Sequence, residues 1–123
     1  VTVKVKTSDL TGAALDWAVA KCEGVDYVAA PGVNGIGQEF EATWYSTDWA
    51  QGGPIIDAHP LMQFWPWGGT PGDEMQCAAM PTSVAGGVRL KTYFGKTKLI
   101  AAMRCRVASK LGDEVDVPDE LMT

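Results

Sequence analysis

Leu99-Ile100-Ala101-Ala102-Met103-Arg104-Cys105-Arg106-Val107-Ala108-Ser109-Lys110-Leu111-Gly112 is the stretch that decides the fold class. At 100° per residue, Leu99, Ile100, Met103, Val107 and Leu111 share one sector, while Lys98, Ala102 and Ser109 face the other way. The spacing predicts an amphipathic helix over about 97–111, capped through Thr97 and closed by Gly112. Arg104 falls inside the apolar sector. A guanidinium there costs free energy unless it meets an anion or a carbonyl.

Outward from this helix, Asp113 to Glu120 is acidic, with Val115 and Val117 spaced for a short strand. At the other end, Val1, Val3 and Val5 alternate with Thr2, Lys4 and Lys6, the period of a strand with one buried face. Thr7 and Ser8 then offer caps for a second helix over about 8–23, with Gly24 as its stop. That helix is apolar nearly all round, with Asp16 and Lys21 its only interior charges. A helix without a polar face is sandwiched, either inside the fold or at a contact with a second subunit.

Between the two helices the signals are shorter. Val25 to Ala29 reads as a brief strand, and Pro31 to Gly37 is too rich in Gly and Pro for a regular element. Phe40 to Tyr45 reads as extended. Ser46 to Gly72 reads as a long ordered loop with helical turns at Thr47–Gln51 and Pro54–Ala58. Glu74 to Met80 reads as a strand and Thr82 to Gly87 as a turn. The sum is an α+β fold, a small mixed or antiparallel sheet packed on two main helices, with a long ordered loop between them.

Composition sets the outer bounds. The chain has 123 residues at 13.1 kDa, one domain's worth of material. Its 46% hydrophobic and 20% charged residues exclude wholesale disorder. A net charge of −5 lacks the positive field that duplex nucleic acid requires of a partner. No stretch approaches the ~18 apolar residues of a membrane helix, and Val1 to Leu10 is no signal peptide. The initial Val fits a trimmed chain or a GTG start. Cys22, Cys77 and Cys105 are odd in number and unclustered, so they read as reduced thiols in a cytoplasmic protein. With one histidine besides, no metal or cofactor is expected.

Several motifs dissolve on inspection. Gly95-Lys96-Thr97 lacks the glycine a phosphate loop needs five residues earlier, where Leu90 stands. Gly32, Gly35 and Gly37 have the wrong order for a dinucleotide fingerprint. His59 has Asp57 nearby but no Ser or Cys motif to activate. A hydrolase using Asp48 and His59 is the weakest reading, and the chain is expected not to be an enzyme.

One stretch stands apart: Trp44-Tyr45-Ser46-Thr47-Asp48-Trp49-Ala50-Gln51-Gly52-Gly53-Pro54. It concentrates two indoles, a phenol, two hydroxyls, a carboxylate and a carboxamide, the mixture of a small-molecule pocket. The same residues also suit local structure, with Ser46 or Thr47 capping a short helix and the indoles filling a core. Composition leaves both readings open.

Together with Lys4 to Gly24 (KVKTSDLTGAALDWAVAKCEG) and Leu99 to Leu121 (LIAAMRCRVASKLGDEVDVPDEL), the run Tyr45 to Asp57 (YSTDWAQGGPIID) resembles the NinX family of small phage proteins. The resemblance covers most of the chain; the segment Met62 to Thr92 follows the family pattern least. It implies a phage accessory protein in the cytoplasm of an infected bacterium, and it supplies no reaction. The expectation is a non-catalytic protein that sequesters a nucleotide-derived signal of host antiphage defence. Trp44, Tyr45, Ser46, Thr47, Asp48, Trp49 and Gln51 would line the ligand site and Arg104 would meet its phosphate or carboxylate. The first helix is expected to bury against a twin in a homodimer. The alternative is an inhibitor or adaptor that grips a host protein through Phe64-Trp65-Pro66-Trp67.

Overall fold

A computed structural model describes residues 1–67, 75–84 and 87–122. The alternating valines form β1 (Thr2–Lys6), and a 3-10 turn at Thr7–Asp9 leads into α1 (Gly12–Glu23). An excursion follows with two short strands, β2 (Gly32–Val33) and β3 (Glu39–Phe40). Then come α2 (Trp49–Asp57), β4 (Gln63–Trp67), β5 (Met75–Val84), β6 (Gly87–Gly95), α3 (Lys98–Leu111) and β7 (Glu114–Pro118). The fold is α+β, with every strand pair antiparallel.

The described residues form three small sheets. β1 pairs with β7, Val3 opposite Val117 and Val5 opposite Val115; Val5, Val115 and Val117 are buried. β4, β5 and β6 form a meander with β5 central, and β2 pairs only with β3. α3 lies across β5 and β6 and also touches α1, α2 and β7, which makes it the central element. Its contact with β6 is close. A Cβ on Gly95 would stand 2.7 Å from the Ala101 nitrogen and 2.8 Å from Ile100 Cγ2, nearer than real side chains approach.

The helix at 97–111 is as read, with Thr97 Oγ1 accepting from the Ile100 N–H at 3.1 Å. Ala102, expected on the solvent side, is fully buried together with Ala101. Small alanines let α3 be approached from two sides, which a single polar-to-apolar wheel does not reveal. The first helix starts at Gly12 rather than 8, because Thr7 is drawn off to close β1. Its hydroxyl donates to the Gly112 carbonyl at 2.6 Å and its N–H to the Asp113 carbonyl at 2.7 Å. Gly24 ends α1 in the left-handed region, at φ 72°. Ala14, Leu15, Ala18, Val19 and Cys22 are covered within this one chain.

The middle departs further from expectation. Val25 to Ala29 is not a strand. Pro31 to Gly37 does contain one, β2, because Asn34 builds a tight turn that lets the chain pair with itself. The two expected helical turns are one helix, α2, which runs through Gly52, Gly53 and Pro54. β6 is a strand the hydrophobic pattern did not signal, and part of the expected turn at 82–87 belongs to β5 and β6. Residues 85–86 of that turn, 68–72 of the expected long loop and Glu74 of the expected strand lie outside the described residues. Among the described residues no helix is long and apolar enough to cross a membrane.

Candidate functional site

The Trp44–Gln51 segment is a compact turn whose polar atoms work inward. Trp44 carbonyl accepts from the N–H groups of Thr47 and Asp48, at 3.2 and 2.8 Å. Asp48 is the N-cap of α2, its Oδ1 accepting from the Ala50 N–H at 2.9 Å, a bond that satisfies one orphan donor of the helix start. Gln51 reaches back from the first turn of α2 as a clamp. Its Oε1 accepts from the Trp44 N–H at 2.9 Å and its Nε2 donates to the Ala42 carbonyl at 2.8 Å and, more weakly, to Asp48 Oδ2 at 3.3 Å.

Ser46 is tied to α1. Its N–H donates to Asp16 Oδ1 at 2.8 Å, both residues being buried. Burial pushes the Asp16 carboxyl above the ordinary carboxylate range, while the Ser46 N–H and the nearby hydroxyl hold it down. That hydroxyl is itself buried and not aligned for a hydrogen bond within the described residues. Asp16 also lies near enough to Tyr27 to add to the burial that raises the phenol. Tyr45 is half-buried against the core, and burial raises its phenol as well. Asp16 was missed as a site residue; the signal available was a lone carboxylate in an otherwise apolar helix.

Gly52 explains why the run carries glycine inside a helix. A Cβ there would sit 2.5 Å from the Tyr45 carbonyl oxygen and 2.6 Å from Leu99 Cδ1, so only a bare α-carbon lets α2 close onto both the turn and α3. What the segment turns outward is aromatic. Trp44 is 44% exposed and Trp49 54%, with Thr47 exposed between them.

Arg104 does not point its fork at this turn. Its Nε donates to the Leu10 carbonyl at 2.7 Å and its Nη1 to the Phe94 carbonyl at 2.5 Å, so the guanidinium ties α3 to the entrance of α1 and the end of β6. Burial lowers its pKa, and Asp9 opposes that shift. The cation in the apolar sector therefore meets carbonyls, one of the two partners its position demanded.

Nor does the structure assemble Asp48 with His59. They flank opposite ends of α2, whose nine residues alone span about 13 Å at 1.5 Å per residue, far beyond hydrogen-bond reach. His59 Nδ1 instead bonds the Ile55 carbonyl at 2.7 Å. Of the second aromatic run, Trp65 is partly exposed, while Phe64 is half-buried with the Lys98 ammonium 4.5 Å above its ring. The side chain of Trp67 lies outside the described set. Among the described residues no group of three or more His, Cys, Asp or Glu is arranged to hold a metal.

Among the described residues, open clefts lie elsewhere. One, of about 220 Å³, is lined by Lys6, Ser8, Thr92, Tyr93, Asp113 and Glu114, and the Tyr93 hydroxyl donates to Asp113 Oδ1 at 2.9 Å. Another, of about 580 Å³, lies along β2 and β3. Neither is lined by residues of the Trp44–Gln51 turn or by Arg104.

Comparison with curated proteins yields no match. The family model described as Bacteriophage P22, NinX matches residues 6–110. The match takes in α1, the whole Trp44–Gln51 turn and nearly all of α3, and the chain belongs to that family of phage proteins.

Proposed function

We propose that this phage protein acts by binding rather than catalysis, as an inhibitor or adaptor of a host protein in the infected cell's cytoplasm. The observation that carries the reading is the division of labour in the Trp44–Gln51 turn: Asp48 and Gln51 bond the backbone while both indoles are exposed. Tryptophans held by a rigid turn lose little entropy on contact and dominate interface energetics. The turn is rigid because Gln51, Asp48 and Asp16 each hold its backbone. A second reading, sequestration of a nucleotide-derived defence signal, is favoured by one feature. Asp48, half-exposed beside Trp49, keeps acceptor positions that could read the edge of a stacked ring. Gln51 and Arg104, already committed to backbone partners, would not take part.

The test is capture from bacterial extract with the wild-type chain and with Trp44→Ala plus Trp49→Ala, after circular dichroism has shown both folded. A host protein retained by the first and lost by the second supports the contact reading; equal retention refutes it. A panel of nucleotides added to the same samples addresses the second reading. A true ligand at a hundredfold excess over its Kd stabilises by about 2.7 kcal/mol.

A further inference from the structure

The excursion between α1 and the Trp44 turn is built as a projecting arm. Its base is pinned by a reciprocal pair, Thr43 N–H to the Val28 carbonyl at 2.8 Å and Val28 N–H to Thr43 Oγ1 at 2.8 Å. From Ala29 to Glu41 every residue is exposed except Gly32, which is covered by the Phe40 ring. The tip is nonetheless held. Asn34 Oδ1 accepts from the N–H groups of Ile36 and Gln38, both at 3.0 Å, and its Nδ2 donates to Gln38 Oε1 at 3.1 Å. Gly37 turns the chain in the left-handed region, at φ 82°.

Two strands of two residues cannot support themselves through pairing alone. Yet the arm holds Ile36 at 80%, Val33 at 62% and Phe40 at 42% exposure, a set of aliphatic and aromatic side chains presented to solvent. Such a display belongs to a contact surface.

The charges say which kind of contact. No Lys or Arg occurs anywhere between Lys21 and Arg89, while eight Asp and Glu do. Asp26, Glu39 and Glu41 are exposed on or beside the arm, and among the described residues none of them is in an ion pair. An exposed apolar tip accompanied by carboxylates that have no ion-pair partner among the described residues is complementary to an apolar depression flanked by lysine and arginine.

From this we infer that the Pro31–Phe40 hairpin is a docking finger for a positively charged protein surface. The inference rests on the reading of the chain as a binding protein and adds the chemistry of its partner. Charged carboxylates at the rim speed encounter and make it salt-dependent, while Ile36, Val33 and Phe40 supply the desolvated centre.

The experiment uses the full chain in three further versions: Val33→Ser plus Ile36→Ser, Glu39→Lys plus Glu41→Lys, and the control Asp57→Lys on α2. Proteins captured from bacterial extract are identified by mass spectrometry, produced pure, and titrated against each version at low and high salt. Expected is a partner with a basic surface whose affinity falls about tenfold or more in both arm variants and not in the control. Its binding should weaken with salt in the wild type and less so after charge reversal. The inference is overturned if the partner binds both arm variants as tightly as the wild type, or if its contact surface is neutral or acidic. It is equally overturned if the arm variants change only self-association, or if the wild type captures nothing that they fail to capture. Loss on Trp44→Ala plus Trp49→Ala with full binding by the arm variants would leave the proposed function standing and remove this inference alone.

Discussion

Gly52 and Gly53 are adjacent in one helix, yet replacing each by alanine has opposite expected effects. In both cases alanine gains about 1 kcal/mol of helix propensity over glycine. At Gly53 the new Cβ meets only Trp49 Cε3, at 3.7 Å, an ordinary contact, so Gly53→Ala stabilises by up to about 1 kcal/mol. At Gly52 it would lie 2.5 Å from the Tyr45 carbonyl oxygen and 2.6 Å from Leu99 Cδ1. Carbon atoms rest at about 3.5–4.0 Å, so the overlap is near 1 Å on two sides. Leu99 has no room to retreat, being 2% exposed, and the Tyr45 backbone is held between Trp44, clamped by Gln51, and Ser46, tied to Asp16. Relief must come from moving α2 off α3. Overpacking of this kind costs roughly 2–3 kcal/mol before the propensity gain, leaving Gly52→Ala about 1–2 kcal/mol less stable than wild type. Urea unfolding of the three proteins reads the difference, with equal slopes required for the comparison. In a chain of this size 1 kcal/mol is also worth about 4 °C in Tm. If Gly52→Ala unfolds at or above the wild-type midpoint, the close approach of α2 to the turn and α3 is wrong.

Two further perturbations probe the buried charges. The Asp16 carboxyl keeps its proton to higher pH folded than unfolded, so the folded chain binds more protons in that window and stability falls as pH rises through it. Asp16→Asn keeps an acceptor for the Ser46 N–H and should abolish that fall. Asp16→Ala leaves the N–H unpaired and should cost about 1–3 kcal/mol relative to Asn; identical pH–stability curves for wild type and Asn would contradict this account. Arg104→Met removes the guanidinium hydrogen bonds to the Leu10 and Phe94 carbonyls and should cost ~2–4 kcal/mol, with Arg104→Lys restoring little because an ammonium lacks the planar fork. Full rescue by lysine, measured by urea unfolding, would show that only charge matters there.

The two ends of the chain, up to Gly24 and from Thr97, were legible because their signals are local. Valine alternation, a helical stripe and the stops at Gly24 and Gly112 all act within a few residues; β1, α3 and β7 stand where those signals place them, and α1 ends where Gly24 stops it but starts later than expected. The middle was not, and Gly52-Gly53-Pro54 shows why. Read locally, the triplet is a turn; in the fold, glycine serves the approach of Leu99 and Tyr45, a need set by residues distant in sequence. Asn34 misled in the opposite direction, since one side chain turned an apparent coil into a hairpin. For the site, the unusual composition of the Trp44–Gln51 run was visible, but which way each group points was not. Both Asp48 and Gln51 carry atoms that suit a ligand and a backbone equally well. The partner of Ser46 lies 30 residues away on α1, beyond any window-based reading.

The pairing of β1 with β7 has a consequence for how the chain is made. Thr2 stands opposite Pro118, and the Asp119 N–H donates to the Val1 carbonyl at 3.1 Å, so the first strand finds its partner among residues translated more than a hundred positions later. At synthesis rates of ~5–20 residues per second, Val3 and Val5 remain unpaired for several seconds while everything between is added. The closing step is a long-range loop closure, the slow kind. Lys4 and Lys6, alternating with those valines, keep the waiting segment charged and so guard a nascent edge against pairing with its neighbours on the same message.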